Sequence, residues 1–152
     1  MSIKRIVLDA SAALKWVLHD EEATNQAKTL LEDFLAGRLD LLIPTLFDYE
    51  VTNGLRVAMR MQRLTESEAY EAIAFFQKCD LERYEFSEIQ ALAFQLACQY
   101  QRAVYDSTYL ALAKFQQLWL YTGDKKLFNA LGGALPWLKW IGDYRLDNIP
   151  AM

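Results

Sequence analysis

Short runs of branched and long apolar residues recur along the chain, and most are followed by a longer stretch whose apolar positions repeat every three to four residues. The first pattern reads as a buried strand and the second as an amphipathic helix. Ile3–Leu8 predicts a strand and Ser11–Leu18 a helix. Ala23–Ala36 predicts a second helix, with Ala23, Ala27, Leu30, Leu31 and Phe34 on one stripe and Gly37 as its stop. Leu41–Ile43 reads as a strand closed by Pro44. Leu46–Met61 and Thr65–Lys78 read as helices, and Thr65-Glu-Ser-Glu68 has the spacing of a capping box. Leu81–Phe86 predicts a third strand. Ser87–Tyr100 predicts a helix carrying Ile89, Leu92, Ala93, Leu96 and Ala97 inward, and Ser107–Phe115 another. Leu118–Tyr121 is a strand, Lys125–Leu131 a short helix ended by Gly132-Gly133, and Trp137–Ile141 a last strand. This alternation argues for an α/β fold with a parallel sheet flanked by helices.

Four acids fall at the punctuation of that pattern. Asp9 ends Ile-Val-Leu, and Glu50 rides the helix after Leu-Leu-Ile-Pro. Asp106 opens Asp-Ser-Thr-Tyr-Leu-Ala-Leu-Ala, and Asp124 follows Trp-Leu-Tyr-Thr-Gly. Open α/β folds build their sites at the carboxyl ends of parallel strands. Carboxylates gathered there repel, by roughly 4 kcal/mol for two unit charges about 4 Å apart at an effective dielectric near 20. A hard divalent cation relieves that repulsion, and oxygen donors suit Mg²⁺ or Mn²⁺. Each acid taken alone has an ordinary reading: Asp9 or Asp106 as a helix N-cap, Glu50 as a solvated helix residue, Asp124 as a turn residue.

Composition changes this picture little. The chain has 152 residues, 53% hydrophobic and 24% charged, which suits one domain with a real core. No apolar run approaches the roughly 20 residues of a membrane span, and the N-terminal stretch is too short for a signal peptide. Cys79 and Cys98 form no metal-binding spacing, so two reduced thiols in a cytoplasmic protein are expected. The net charge is −4, and setting the four acids aside leaves 16 acidic residues against 16 basic ones. An isoelectric point near 5.0 argues against a broad nonspecific nucleic-acid surface, while leaving room for a local basic strip.

The motifs around the acids carry a resemblance. Leu-Asp-Ala-Ser-Ala-Ala-Leu-Lys-Trp (8–16), the stretch from Pro44 to Leu55, Tyr105-Asp-Ser-Thr-Tyr-Leu-Ala-Leu-Ala113 and Tyr121-Thr-Gly-Asp-Lys-Lys-Leu127 resemble, in order and spacing, the four motifs of PIN-domain proteins of the bacterial VapC toxin type. The resemblance covers about residues 3–143. It implies a single domain over 1–152, a three-layer α/β/α arrangement with a mainly parallel central sheet, bound Mg²⁺ or Mn²⁺, and cleavage of single-stranded RNA. It also implies a homodimer and a co-encoded antitoxin. By motif position the catalytic and metal-binding acids are Asp9, Glu50, Asp106 and Asp124, with Ser11 as a supporting hydroxyl. Gly54 stands in a helix where the family often has alanine, and the tail beyond Asp143 has no counterpart in the motifs.

Asp9, at a strand end, is expected to be the central metal ligand and Asp106, at a helix start, the second. Glu50 and Asp124 complete the site, directly or through water. Arg56, Arg60 and Arg63 are spaced to share one helix stripe and are candidate phosphate contacts, as are Lys15, Lys125 and Lys126; a solvated basic face is the alternative for each. His19, the single histidine, reads as a surface residue. Tyr105, Tyr109, Trp119 and Tyr121 read as core, with base stacking the alternative.

Two other functions compete with a metal-dependent endoribonuclease. One is a different α/β metal-dependent phosphohydrolase. A haloacid-dehalogenase-type phosphatase wants a second aspartate two residues after the first, where this chain has Ser11, and no GxxxxGK[ST] loop is present. The other is a noncatalytic PIN-like binding module, which the presence of all four acids disfavours.

Overall fold

The computed structural model describes residues 2–151; Met1 and Met152, the ends of the expected 1–152 domain, lie outside the described residues. Five strands form one sheet: β1 (Lys4–Leu8), β2 (Leu39–Pro44), β3 (Glu82–Tyr84), β4 (Leu120–Thr122) and β5 (Leu138–Trp140). Their order is β3-β2-β1-β4-β5, and every neighbouring pair is parallel. The expected mainly parallel sheet is thus parallel throughout. The helices are α1 (Ala10–Ala13), α2 (Thr24–Leu35), α3 (Leu46–Arg60), α4 (Glu66–Lys78), α5 (Gln90–Tyr100), α6 (Val104–Gln116) and α7 (Lys125–Leu131).

Chain order sets the layers. The crossovers β1–β2 and β2–β3 run one way across the sheet, and β3–β4 and β4–β5 run the other way. Right-handed crossovers therefore put α1–α4 on one face and α5–α7 on the opposite face. A sheet covered on both faces needs apolar residues in succession along its strands. Ile6, Val7 and Leu8 of β1 and Leu42 and Ile43 of β2 are fully buried.

Several helices follow their local signals. Thr65 caps α4, its hydroxyl accepting from the Glu68 amide at 3.1 Å while the Glu68 carboxylate accepts from the Thr65 amide at 3.0 Å. Gly37 takes φ +78 after α2, a conformation that favours glycine. Gly54 in α3 is explained by packing, since a Cβ there would lie 2.6 Å from the Leu14 side chain. The indole of Trp16 donates to the Ala27 carbonyl at 2.9 Å and stacks on Phe76.

Other elements depart from expectation. The helix after Asp9 is one turn of α-helix that tightens into a 3₁₀ turn at Leu14–Trp16. Helix α6 starts at Val104 rather than Ser107, with Ala103 at the cap, so Asp106 is not an N-cap but the third helical residue. Arg63 lies past the end of α3, after Gln62 with φ 60, and does not share the stripe of Arg56 and Arg60. It pairs with Asp20 and Glu21 at 2.8 and 2.9 Å. Tyr109 and Tyr121 are core residues, Trp119 is half-buried, and Tyr105 is exposed.

The tail beyond Asp143 belongs to the fold. Tyr144 and Ile149 are buried. The Tyr144 hydroxyl donates to Asp33 Oδ2 at 2.8 Å, while Arg38 donates twice to Asp33 Oδ1. Lys4 of β1 reaches the Leu146 carbonyl at 2.8 Å. Cys79 is buried, Cys98 is exposed, and neither forms a disulfide. His19 is exposed. Among the described residues, no helix is long and apolar enough to cross a membrane.

Candidate active site

The strand order reverses direction between β1 and β4, and that switch point opens a crevice at the carboxyl ends of the two strands. Asp9 follows β1 there and Asp124 follows β4. The Asp9 amide donates to the Tyr121 carbonyl at 3.0 Å, which extends the β1–β4 pairing by one residue and aims its side chain past the sheet. Asp9 also caps α1, with the Ser11 amide 3.5 Å from Oδ1. Capping and site membership thus coincide in one residue.

A hydroxyl and amide network anchors Asp9. Thr122, the last residue of β4, donates from Oγ1 to Asp9 Oδ2 at 2.8 Å. The same oxygen accepts from the Asp124 amide at 3.0 Å and lies 3.3 Å from Ser11 Oγ. A hydroxyl has one proton and two lone pairs. With the Thr122 proton on Asp9, Ser11 must donate to Thr122, and Ser11 Oγ in turn accepts from the Gly123 amide at 2.9 Å. Gly123 is required by close approach: a Cβ there would stand 2.5 Å from the Ser11 carbonyl oxygen and 2.7 Å from Lys15 Cε. Thr122 had no role in the sequence reading. Its signal is a hydroxyl residue at a strand end, two positions before an acid.

The acids are linked electrostatically. Burial, with the Glu50 charge behind it, raises the Asp9 carboxyl to about 7 against the hydrogen bonds from Thr122 and Ser11. Burial also raises Glu50, and the Asp106 charge adds to it, while the Tyr109 hydroxyl works the other way. That hydroxyl is buried and close enough to Glu50 to influence it, yet forms no hydrogen bond of ordinary geometry. Asp106 sits in the first turn of α6, where the helix dipole favours an anion. Arg102, which sequence reasoning overlooked, donates to Asp106 Oδ2 at 3.0 Å. Asp124 caps α7, its Oδ1 accepting from the Lys126 and Leu127 amides at 3.0 and 3.1 Å.

The expected four-carboxylate cluster is not closed. Among the described residues, no three Asp, Glu, His or Cys side chains converge at a metal-binding spacing. The donors are nevertheless all hard oxygens, and neither Asp9 nor Glu50 has a cationic partner among the described residues. That chemistry fits Mg²⁺, which needs one or two carboxylates and keeps several waters.

The expected substrate contacts divide. Lys15 is not at the surface: it is 5% exposed, packed under Gly123, with Nζ 3.4 Å from Glu21 and 5.6 Å from the Trp140 ring centre. Arg56 and Arg60 are exposed on α3, and Arg56 lines a shallow groove with Tyr49, Thr52 and Asn53 that none of the four acids lines. Lys125 and Lys126 are exposed beside Asp124, and Lys125 lies 3.5 Å from Glu22 and 4.7 Å from the Trp140 ring centre.

A family model described as PIN domain matches residues 6–133. Ribonuclease VapC9 of Mycobacterium tuberculosis is 31% identical over 122 residues, covering 80% of this chain and 87% of the relative. Ribonuclease VapC12 of the same organism is 28% identical, covering 84% and 92%. Among solved structures, M. tuberculosis VapC20, described as a sarcin-ricin loop cleaving toxin, aligns with a TM-score of 0.62 at 15% identity, covering 82% of this chain and 94% of that one. A toxin-antitoxin complex from Klebsiella pneumoniae aligns at 0.56 and 20% identity, covering 88% and 94%. Fold, motif order and sequence similarity agree, and the chain belongs to the PIN-domain family, among its VapC-type members.

Proposed function

We propose that this protein is a metal-dependent endoribonuclease that cleaves single-stranded RNA and acts as the toxin of a toxin–antitoxin pair. The observation that carries the reading is Asp9. A carboxylate at the sheet's switch point is buried beside a second acid, so that it holds its proton up to about pH 7. A structural role does not call for that arrangement, and a cation site does. The kinship with proteins named VapC ribonucleases supplies the reaction class.

Asp9 and Asp106 would hold Mg²⁺ or Mn²⁺, with Glu50 and Asp124 completing the shell directly or through water. When bound, the metal lowers the pKa of a coordinated water and neutralises charge on the phosphate. The protein's own groups do the positioning. Thr122 fixes one Asp9 oxygen, and the Ser11–Gly123 hydrogen bond ties the loop after β1 to the loop after β4. Glu50, where it meets the metal only through water, would orient the attacking water and accept its proton. Lys125 and Lys126 flank Asp124 and meet phosphates, as do Arg56 and Arg60 farther along α3.

The protein acts with a second copy of itself and is restrained by an antitoxin. Exposed Tyr49, Met61 and Tyr70 on the α3–α4 pair support a protein-binding face. The reading is tested by incubating the protein with total RNA and with single-stranded DNA in Mn²⁺, Mg²⁺ or EDTA, beside an identically purified Asp106→Asn control. Metal-dependent RNA cuts, absent in the control and with DNA intact, are expected. Equal cutting by the control refutes the reading.

A further inference from the structure

We propose that Arg102 is a substrate ligand of this site: its guanidinium neutralises Asp106 in the free protein and binds a phosphate of single-stranded RNA in the complex. The inference rests on the ribonuclease reading above. Arg102 lies in the short turn between α5 and α6. Gln101 takes φ 52, the Arg102 amide donates to the Ala97 carbonyl at 3.0 Å, and Ala103 caps α6. The backbone beneath the side chain is therefore tied on both sides. Nη2 donates to Asp106 Oδ2 at 3.0 Å, and 27% of the side chain remains exposed. Nε is buried and has no partner among the described residues.

Helix stability does not explain an arginine here. It stands just before a helix N-terminus, where the dipole disfavours a cation. A buried N–H without a partner is a further destabilising feature. Local rules broken together at the rim of a site point to function. The guanidinium is planar, permanently charged and suited to phosphate oxygens. Lys15 and Arg63 are paired with acids outside the site, Lys15 with Glu21 and Arg63 with Asp20 and Glu21, while exposed Lys125 and Lys126 stand beside Asp124 on the other wall. Arg102 instead pairs with an acid of the site, so it lies where an approaching phosphate meets the Asp106, Glu50 and Asp9 charges.

The test is anisotropy of a fluorescein-labelled single-stranded RNA, with Ca²⁺ replacing Mg²⁺, over a salt series for wild type, Arg102→Gln and Arg102→Lys. Mn²⁺ binding without RNA is followed in parallel by electron paramagnetic resonance, and folding by circular dichroism. Arg102→Gln is expected to weaken RNA binding about tenfold and to flatten the slope of log affinity against log salt by about 0.7, the value for one single-strand phosphate contact. Arg102→Lys is expected to restore that slope and part of the affinity. Mn²⁺ should bind Arg102→Gln as tightly as wild type or more tightly, because a competing cation has left Asp106. An unchanged salt slope, or a loss of Mn²⁺ binding that accounts for the RNA defect, overturns the proposal and leaves Arg102 a holder of Asp106. A wild type that binds no RNA removes the ribonuclease reading, and the Arg102 proposal with it.

Discussion

Replacing Asp9 by asparagine is expected to stabilise the metal-free protein above neutral pH while abolishing RNA cleavage. Burial chiefly, and then the Glu50 charge, lift this carboxyl from 3.8 to about 7. A raised carboxyl pKa means that the fold prefers the protonated form. The stability contributed by that preference is fully present below about pH 3.8 and is lost as pH rises through 7. A gap of about three units corresponds to about 4 kcal/mol, and the partly exposed edge of the side chain reduces this to about 2–4 kcal/mol through solvent screening. Asparagine caps a helix as well as aspartate does, and its carbonyl still accepts the Thr122 hydroxyl. Asp9→Asn therefore removes the charge and keeps the contacts. Urea unfolding in EDTA at pH 8 should show the variant more stable by roughly that 2–4 kcal/mol, a midpoint shift of about 1–2 M. At pH 5, where the wild-type carboxyl is largely protonated, the advantage should fall to about half or less. A variant no more stable than wild type at pH 8, or one with the same gain at both pH values, would refute the reasoning.

Thr122→Val removes the donor to Asp9 and leaves the Ser11 hydroxyl and the Asp124 amide without their acceptor. Cleavage and Mn²⁺ affinity should each fall about 10–100-fold, as for other groups that orient a metal ligand, which a metal titration of the rate resolves. Gly123→Ala drives a methyl into the Ser11 carbonyl; thermal melts should show a loss of about 1–3 kcal/mol from overpacking. Tyr144→Phe removes one of the hydrogen bonds to buried Asp33, and denaturant unfolding should show a loss of about 1–2 kcal/mol with cleavage unchanged.

The sheet was legible because a strand buried on both faces must be written in consecutive apolar residues, as Ile6-Val7-Leu8 and Leu41-Leu42-Ile43 are. Capping chemistry placed α4 through Thr65 and Glu68. The start of α6 was not legible, since its cap is Ala103, which has no side chain to signal the turn. Within the site, Asp9 and Asp124 were readable from strand ends, and strand order then set them beside each other. Thr122 and Arg102 were missed for a common reason. Each matters through a partner far along the chain or across a turn, and spacing alone cannot say which hydroxyl faces Asp9 or which arginine faces Asp106. Lys15 fails as a surface contact for the same reason, because its burial depends on Gly123 and Trp140 closing over it. The motif pattern orders the acids along the chain and does not orient their oxygens, so the electrostatic coupling of Asp9 to Glu50 and of Glu50 to Asp106 needed the structure.

The strand order also governs when the site comes into being during synthesis. β1 is made first and lies in the middle of the sheet, with β4 on one side of it. Asp9 and its Thr122 partner are 113 residues apart. At roughly 5–20 residues per second, the ribosome adds Thr122 about 6–23 s after Asp9. Until then the crevice lacks one wall, and the Asp9 oxygen lacks its hydroxyl donor. A stalled ribosome or a message cut before the codon for Thr122 thus yields a chain with no assembled nuclease centre. An enzyme that degrades RNA would in this way be silent until its fourth strand has been made.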